Sequence, residues 1–495
     1  MVSSSKLALN AYELVEEVKS GSISVEDYIA SMLERIESMD ERINAYITIN
    51  HHALDEARMV DKMVRSSSSD GSGYCNGNLL GVPLAVKDNI STEGIRTTCA
   101  SRMLEDYVPV YDATVVKRLK DAGAIVIGKT NMDEFGMGST TEFSAFGVTR
   151  NPWDEDRVAG GSSGGSAASL ASCMASIALG SDTGGSVRCP ASFCSIYGLK
   201  PTYGLLSRYG LISYANSLEC IGLMARSAVD LALMLNAVVG ADVQNDHTSI
   251  DAPPIDIESI NSTSLKGIRF ATIREIMESN AIDEPIRDSM LDAITSVEQL
   301  DAVVEEVSIP SLKYALASYY TIAMAEASSN LARYDGIRYG YTVQPDGMAW
   351  NEFYSTIRSN FGSEVKRRIM LGTYVLSSGY YGRYYMKAQK ARAIIREEIM
   401  HVLRSYNAII TPTMPVLPPR IGERISDPLR LYTIDICTVI ANLAGIPALS
   451  IPYSMHDGLP IGIQFMAKHL DEAMLLRIAY LLEHARGSKV KRCVL

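Results

Sequence analysis

Gly160-Gly161-Ser162-Ser163-Gly164-Gly165-Ser166 opens a run of small residues that continues to Met174. Ser176-Ile177-Ala178-Leu179 follows, and then Asp182-Thr183-Gly184-Gly185-Ser186-Val187-Arg188. The small-residue run predicts a helix over 166–174, and the apolar run predicts a strand over 176–179. The same alternation lies upstream. Residues 112–122 read as a helix stopped by Gly123, and 124–127 as a strand. Leu84-Ala85-Val86 reads as a short buried strand with Lys87 at its end. Helices alternating with short apolar strands predict an α/β fold, with a mostly parallel sheet covered by helices on both faces.

Towards the N-terminus, Asn10 and Glu13 have the spacing of a helix cap with its return carboxylate. Val25, Tyr28, Ile29, Met32, Leu33 and Ile36 form one apolar stripe at helical spacing, which Ser24 can cap. Residues 65–78, rich in Ser and Gly, read as a polar loop. Residues 240–400 are more helical and rich in tyrosine. Near the end, strands over 448–452 and 460–465 flank His456-Asp457-Gly458, a hairpin turn. A helix over 471–484 closes the chain. No repeat and no composition break demands a second domain. One domain over 1–495 is expected, with N-terminal helices at 8–64, a core at 80–240, and a helical, tyrosine-rich part with the terminal hairpin and helix at 241–486.

The 495 residues are 47% hydrophobic and 21% charged, the composition of a globular protein with a sizeable core, and the formal net charge is −11. That acidity argues against strong nucleic-acid binding by this chain alone. No stretch reaches the ~18 apolar residues of a membrane span. Residues 1–10 lack the basic start and apolar core of a signal peptide, and Cys493 is misplaced for prenylation. Eight cysteines are too sparse for a disulfide framework. Cys173, Cys189, Cys194 and Cys220 read as small core residues, and no metal site is expected. A cytoplasmic location follows as the expectation.

The two glycine-serine clusters place free backbone N–H groups where a ligand can approach. Neither has the Gly-Lys-Ser/Thr ending of a phosphate loop, and neither is a convincing dinucleotide fingerprint. Acyl transfer, with a serine nucleophile and backbone donors for the oxyanion, suits them better. Taken singly, such a stretch is a flexible loop, and a lysine after an apolar run reaches for water. Joint placement at strand ends favours chemistry. Histidine is the usual base, but none of the seven histidines lies in either cluster. Lys87 is the better candidate. An ordinary lysine titrates at about 10.4, and desolvation beside Leu84, Ala85 and Val86 would favour its neutral amine. Gly160-Gly161-Ser162-Ser163-Gly164 also fits Gly-x-Ser-x-Gly, which keeps a Ser-His-Asp hydrolase open.

These segments, with Gly81-Val82-Pro83-Leu84-Ala85-Val86-Lys87-Asp88-Asn89-Ile90, resemble the amidase signature family in sequence and in separation. The resemblance implies that family's α/β fold, a large mixed central sheet covered by helices on both faces. It implies Ser186 as the acyl-forming nucleophile, Ser162 as the bridging serine and Lys87 as the base. It further implies a cis peptide at Gly161–Ser162 and an oxyanion hole from the N–H groups of Thr183, Gly184, Gly185 and Ser186.

Outside the shared core, several segments resemble the family's glutamine-hydrolysing members, which serve tRNA-dependent amidotransferases. They include Met132-Asp133-Glu134-Phe135-Gly136-Met137-Gly138-Ser139, Glu364-Val365-Lys366-Arg367-Arg368-Ile369 and Leu376-Ser377-Ser378-Gly379-Tyr380-Tyr381. That likeness, over about residues 8–486, implies glutamine hydrolysis feeding ammonia to a companion B subunit, with a small C subunit clamping the two. Misacylated tRNA would bind mainly through the B subunit, and ATP and magnesium would sit there, with no cofactor on this chain. Arg368 would hold the α-carboxylate of glutamine, Asp435 its α-ammonium, and Tyr319 would line the pocket. Phe143, Cys189 and the Glu219-Cys220 pair depart from the family's usual residues without touching the triad. A free-standing amidase for a small aryl or aliphatic amide would share the same triad and is the alternative.

Overall fold

The computed structural model describes residues 2–70, 77–261, 264–423 and 427–486. Its strands are β1 (Tyr46–Ile49), β2 (Pro83–Lys87), β3 (Ile125–Thr130), β4 (Arg150–Asn151), β5 (Asp154–Val158), β6 (Ile177–Asp182), β7 (Tyr197–Lys200), β8 (Cys220–Ala225), β9 (Arg269–Ile273), β10 (Val303–Val307), β11 (Ala408–Pro412), β12 (Ala448–His456) and β13 (Leu459–Ala467). β4 and β5 pair as a small ribbon. The other eleven form one sheet in the order β1-β3-β2-β6-β8-β7-β12-β13-β11-β9-β10.

This sheet is mixed, which corrects the mostly parallel sheet expected from helix-strand alternation. Only β2–β3, β2–β6, β9–β10 and β9–β11 run parallel. The remaining pairings are antiparallel. The alternation was read between residues 80 and 180, where helical crossovers do give parallel neighbours. Beyond that stretch tighter returns take over. The clearest is β12–β13, joined at Asp457 and Gly458 with φ of 50° and 80°, the left-handed pair that a two-residue hairpin requires.

Both faces of the sheet are covered. Phe270, Ile410 and Phe465 belong to one apolar cluster, and their strand neighbours Ala271, Ile409 and Met466 belong to another. The first face carries the helices Ala11–Lys19, Val25–Ile43, Ala228–Val238 and Glu472–Arg486. Asn10 N–H donates to Glu13 Oε2 at 2.8 Å, and Ser24 Oγ accepts from Asp27 N–H, as the sequence predicts. The second face carries Ala315–Asn330 and Tyr385–Ser405, with Ser363–Leu376 packed on the first of these. The polar stretch 65–78 is not a loop throughout. The helix Ala53–Asp70, anchored by buried Ala53, Ala57 and Val60, propagates into it, and 71–76 lie outside the described residues.

Candidate active site

Lys87 ends β2, and β6 runs parallel beside it, so the C-terminal ends of the two strands open on one crevice. Lys87 is wholly buried. Its Nζ lies 2.7 Å from Ser162 Oγ, 2.9 Å from Ser181 Oγ and 3.3 Å from the Ser181 carbonyl. Burial lowers its pKa to about 7, against the opposing pull of Asp133 and Asp182. Neutral amine is therefore abundant at physiological pH.

The Gly161–Ser162 peptide bond is cis, where the resemblance places one. The turn after β3 surrounds it. Asp133 N–H donates to the Ser162 carbonyl at 3.3 Å, while the Asp133 carboxylate accepts from Thr141 N–H (2.9 Å) and Phe143 N–H (3.2 Å). A Cβ on Gly161 would stand 2.1 Å from Asp133 Oδ2, so only glycine permits this approach. Phe143 thus acts here through its backbone.

Ser186 follows β6 and is brought beside Ser162 by Ser163 N–H, which donates to the Ser186 carbonyl at 3.1 Å. Its side chain makes no hydrogen bond among the described residues. At 9% exposure it is more accessible than Lys87 (0%) or Ser162 (1%). The N–H groups of Thr183, Gly184 and Ser186 are likewise unengaged among the described residues. Gly185 differs from expectation: its N–H donates to Asp182 Oδ1 at 2.9 Å and is spent inside the loop. Asp182 also accepts from Val187 N–H and pairs with buried Arg188 (2.9 Å). Burial would raise the Asp182 pKa, but Arg188 holds it well below the usual carboxylate range. Arg188 reaches on to the Thr438 carbonyl, Asn442 and Gln464, fixing the loop to the second half of the chain.

Three remote residues line the same region. Tyr319 packs on the loop so closely that a Cβ on Gly184 would meet its hydroxyl at 2.3 Å. Asp435, buried, accepts from Tyr320 Oη (2.5 Å) and Ser139 Oγ (2.9 Å). Burial pushes it up to about 6, although both hydrogen bonds and Arg368 pull it down. Arg368, also buried, donates to Glu364 (2.7 Å) and Tyr214 Oη (2.7 Å) and is ringed by Tyr214, Tyr320 and Tyr432. Thr438 Oγ1 spans from the Gly184 carbonyl (2.6 Å) to the Asp435 carbonyl (3.2 Å), tying the loop to this end of the site.

Every candidate named from sequence therefore falls in one buried region. Ser181, Ser139, Tyr320, Glu364 and Thr438 were missed. Ser181 carried a signal, since β6 pairs beside β2 and the strand's last residues must face Lys87. The others come from segments far apart in sequence, with no local pattern. All seven histidines are exposed, and among the described residues none hydrogen-bonds to Ser162 or Ser186, so the geometry lends the Ser-His-Asp reading no support. Cys189 and Cys194 are buried, with their thiols on the carbonyls of Ser139 and Ala159.

A serine held against a buried lysine, with a second serine and free backbone donors alongside, is an arrangement that can activate a serine without histidine. The chain belongs to the Amidase family, whose model matches residues 27–476. It is 49% identical over 472 residues to the A subunit of glutamyl-tRNA(Gln) amidotransferase from Saccharolobus solfataricus, covering 95% of each chain. It is 51% identical over 466 residues to the same-named protein of Methanococcoides burtonii, covering 94% of each. The crystal structure of the corresponding A subunit from Thermotoga maritima superposes with a TM-score of 0.80 at 42% identity, covering 99% of this chain and 96% of that one. Among the described residues no helix is long and apolar enough to cross a membrane.

Proposed function

We propose that this chain is the glutaminase component of a tRNA-dependent amidotransferase, built as one amidase domain and working in the cytoplasm. The observation that carries the reading is the pairing of the Lys87–Ser162 contact with buried Arg368 and Asp435 in one site. Glutamine is a zwitterion with a side-chain amide, and such a site offers a cation, an anion and an acylation centre in fixed relation.

Neutral Lys87 takes the proton of Ser162 Oγ as Ser162 takes that of Ser186 Oγ. Ser186 then attacks the carboxamide carbon of glutamine. Negative charge on the carbonyl oxygen is met by the N–H groups of Thr183 and Gly184. Collapse breaks the C–N bond, and the proton returns through Ser162 to the leaving nitrogen, giving ammonia and a glutamyl ester on Ser186. Water attacks the ester by the same relay and releases glutamate. Arg368 holds the α-carboxylate, Asp435 the α-ammonium, and Tyr319 closes the pocket wall. The B subunit would receive the ammonia and hold misacylated Glu-tRNA(Gln) or Asp-tRNA(Asn) with ATP and magnesium. The small C subunit would clamp this chain to it.

Ammonia release from L-glutamine tests the reading. It is measured for wild type and Ser186→Ala, with and without the B and C subunits, misacylated tRNA and ATP. A Ser186-dependent rate raised by the partners is expected. Indifference to glutamine in every mixture, with turnover of a neutral amide, would make the chain a free-standing amidase.

A further inference from the structure

Three tyrosines ring Arg368, and their hydroxyl protons have different fates. Tyr320 Oη donates to Asp435 (2.5 Å), and Tyr432 Oη donates to Glu364 (2.8 Å). Tyr214 Oη instead accepts, from Arg368 Nη1 at 2.7 Å. A guanidinium can only donate, so the Tyr214 proton points elsewhere. It meets no acceptor among the described residues, although Tyr214 is only 2% exposed. A buried donor without an acceptor is costly, and where a folded site keeps one, a bound group has a place to satisfy it.

Tyr214 is held from both sides. It lies between β7 and β8, where buried Glu219 accepts from the N–H groups of Tyr214 (2.9 Å) and Ala215 (3.3 Å). Its carbonyl accepts from Asn330 Nδ2 at 3.0 Å. A Cβ on Gly136 would stand 3.7 Å from Ser162 Oγ and 4.0 Å from Tyr214 Cδ1, so the inner edge of the ring and Ser162 border one spot. The ring thus runs from the neighbourhood of Ser162 to the guanidinium of Arg368.

Arg368 has donors to spare as well. Its Nε is spent on Glu364 (2.7 Å) and one Nη1 hydrogen on Tyr214, which leaves three of its five N–H groups without an acceptor among the described residues. Buried Glu364 offsets much of the guanidinium charge, so binding of an anion here leans on directed hydrogen bonds. The Tyr214 proton and these N–H groups form a cluster of donors. An ionised carboxylate brings only acceptors and suits them all. A carboxamide would set its own N–H groups against them and leave donors facing donors.

We infer that Tyr214 is a specificity-determining residue, whose hydroxyl donates to the α-carboxylate that Arg368 binds and so selects free glutamine over glutamine blocked at that carboxylate by an amide or peptide bond. The inference rests on the proposed glutaminase reading. Tyr320 and Tyr432 border the same cation but have no proton to give, because Asp435 and Glu364 already take it.

Tyr214→Phe tests it, because the ring stays against Arg368 and only the hydroxyl is lost. The chain is assembled with its B and C subunits, and kcat and KM are measured for L-glutamine. The inhibition constant of L-glutamine α-amide, whose α-carboxylate is replaced by a carboxamide, is measured beside them. The expected result is a rise of at least ~10-fold in KM for glutamine with kcat within about threefold. The α-amide should bind both proteins equally within about twofold, so the preference for the free carboxylate narrows by the same ~10-fold. Fluorophosphonate labelling of Ser186 at the wild-type rate checks that the acylation centre is intact. An unchanged KM, or equal losses for glutamine and the α-amide, would overturn the inference and leave the glutaminase reading standing. A wild-type complex that ignores glutamine but hydrolyses a neutral amide would remove that reading and this inference with it.

Discussion

Glu134 Oε2 accepts a hydrogen bond from the backbone N–H of Gly362 at 2.7 Å, joining residues 228 positions apart. Glu134 lies in the turn that packs on Ser162, where a Cβ on nearby Gly136 would be 3.7 Å from Ser162 Oγ. Gly362 is the N-cap of the helix that carries Arg368. The other carboxylate oxygen of Glu134 is held by Ser101 Oγ. One carboxylate thus links the neighbourhood of Ser162 to the helix that carries Arg368, the cation proposed to recognise glutamine.

Gly362→Ala tests that link, because a Cβ at this position would stand 2.3 Å from Glu134 Oε2 and force the contact apart. The expected result is a rise of about tenfold in KM for glutamine with kcat within about threefold, since the helix shifts while the serines stay. Glu134→Gln keeps an acceptor and should behave closer to wild type. Equal KM for Gly362→Ala and wild type in glutaminase assays would show that the contact is structural only.

The pH dependence follows from Lys87. Burial lowers its pKa to about 7, and only the neutral amine can accept the Ser162 proton. Activity should therefore rise with pH, approaching one log unit per pH unit below about 7 and levelling above it. With glutamine, a second loss sets in as Asp435, raised by burial to about 6, becomes protonated and can no longer hold an ammonium. A neutral amide should show the first limb without the second. Profiles of kcat/KM for the two substrates measure both, and a flat profile from pH 6 to 8 would exclude Lys87 as the base.

Legibility in the sequence followed distance along the chain. The strand ending in Lys87, the helix after Ser162 and the loop before Ser186 were readable because period, small residues and glycine act locally. The parallel half of the sheet was readable for the same reason. The antiparallel half was not, since β7 pairs with β12 across some 250 residues and no local pattern records it. Tyr214, Tyr320 and Glu364 around Arg368 were equally hidden: a buried guanidinium needs partners, but the sequence does not say from where. Serine-rich residues before Asp70 were misread as loop because composition was weighed above helix propagation.

The Asp182–Arg188 pair gives a prediction about stability. Both side chains are fully buried, and Arg188 has no water to fall back on. Asp182→Asn should cost about 3–5 kcal/mol, since breaking a buried pair strands a charge. The Asp182 pKa is held below its unfolded value, so this contribution is present above the unfolded carboxylate pKa and fades as pH falls through the folded one. Urea unfolding of wild type and variant at pH 7 measures the difference. A loss below about 1 kcal/mol would mean the loop is held by its backbone hydrogen bonds alone.

Asp435→Asn separates glutamine recognition from acyl chemistry more cleanly than a change at Arg368. Removing Arg368 leaves Glu364, fully buried, without its 2.7 Å partner, and lost activity could then reflect lost folding. Asparagine keeps the shape of Asp435 and can still accept from Tyr320 and Ser139, so the fold should hold while the negative charge is gone. With the charge removed, an α-ammonium is no longer paired. The expected result is a fall of about 10²- to 10³-fold in kcat/KM for glutamine, with neutral-amide hydrolysis and fluorophosphonate labelling of Ser186 within about threefold of wild type. Equal losses on both substrates would place Asp435 in support of the oxyanion loop through Thr438, and the ammonium would need another acceptor.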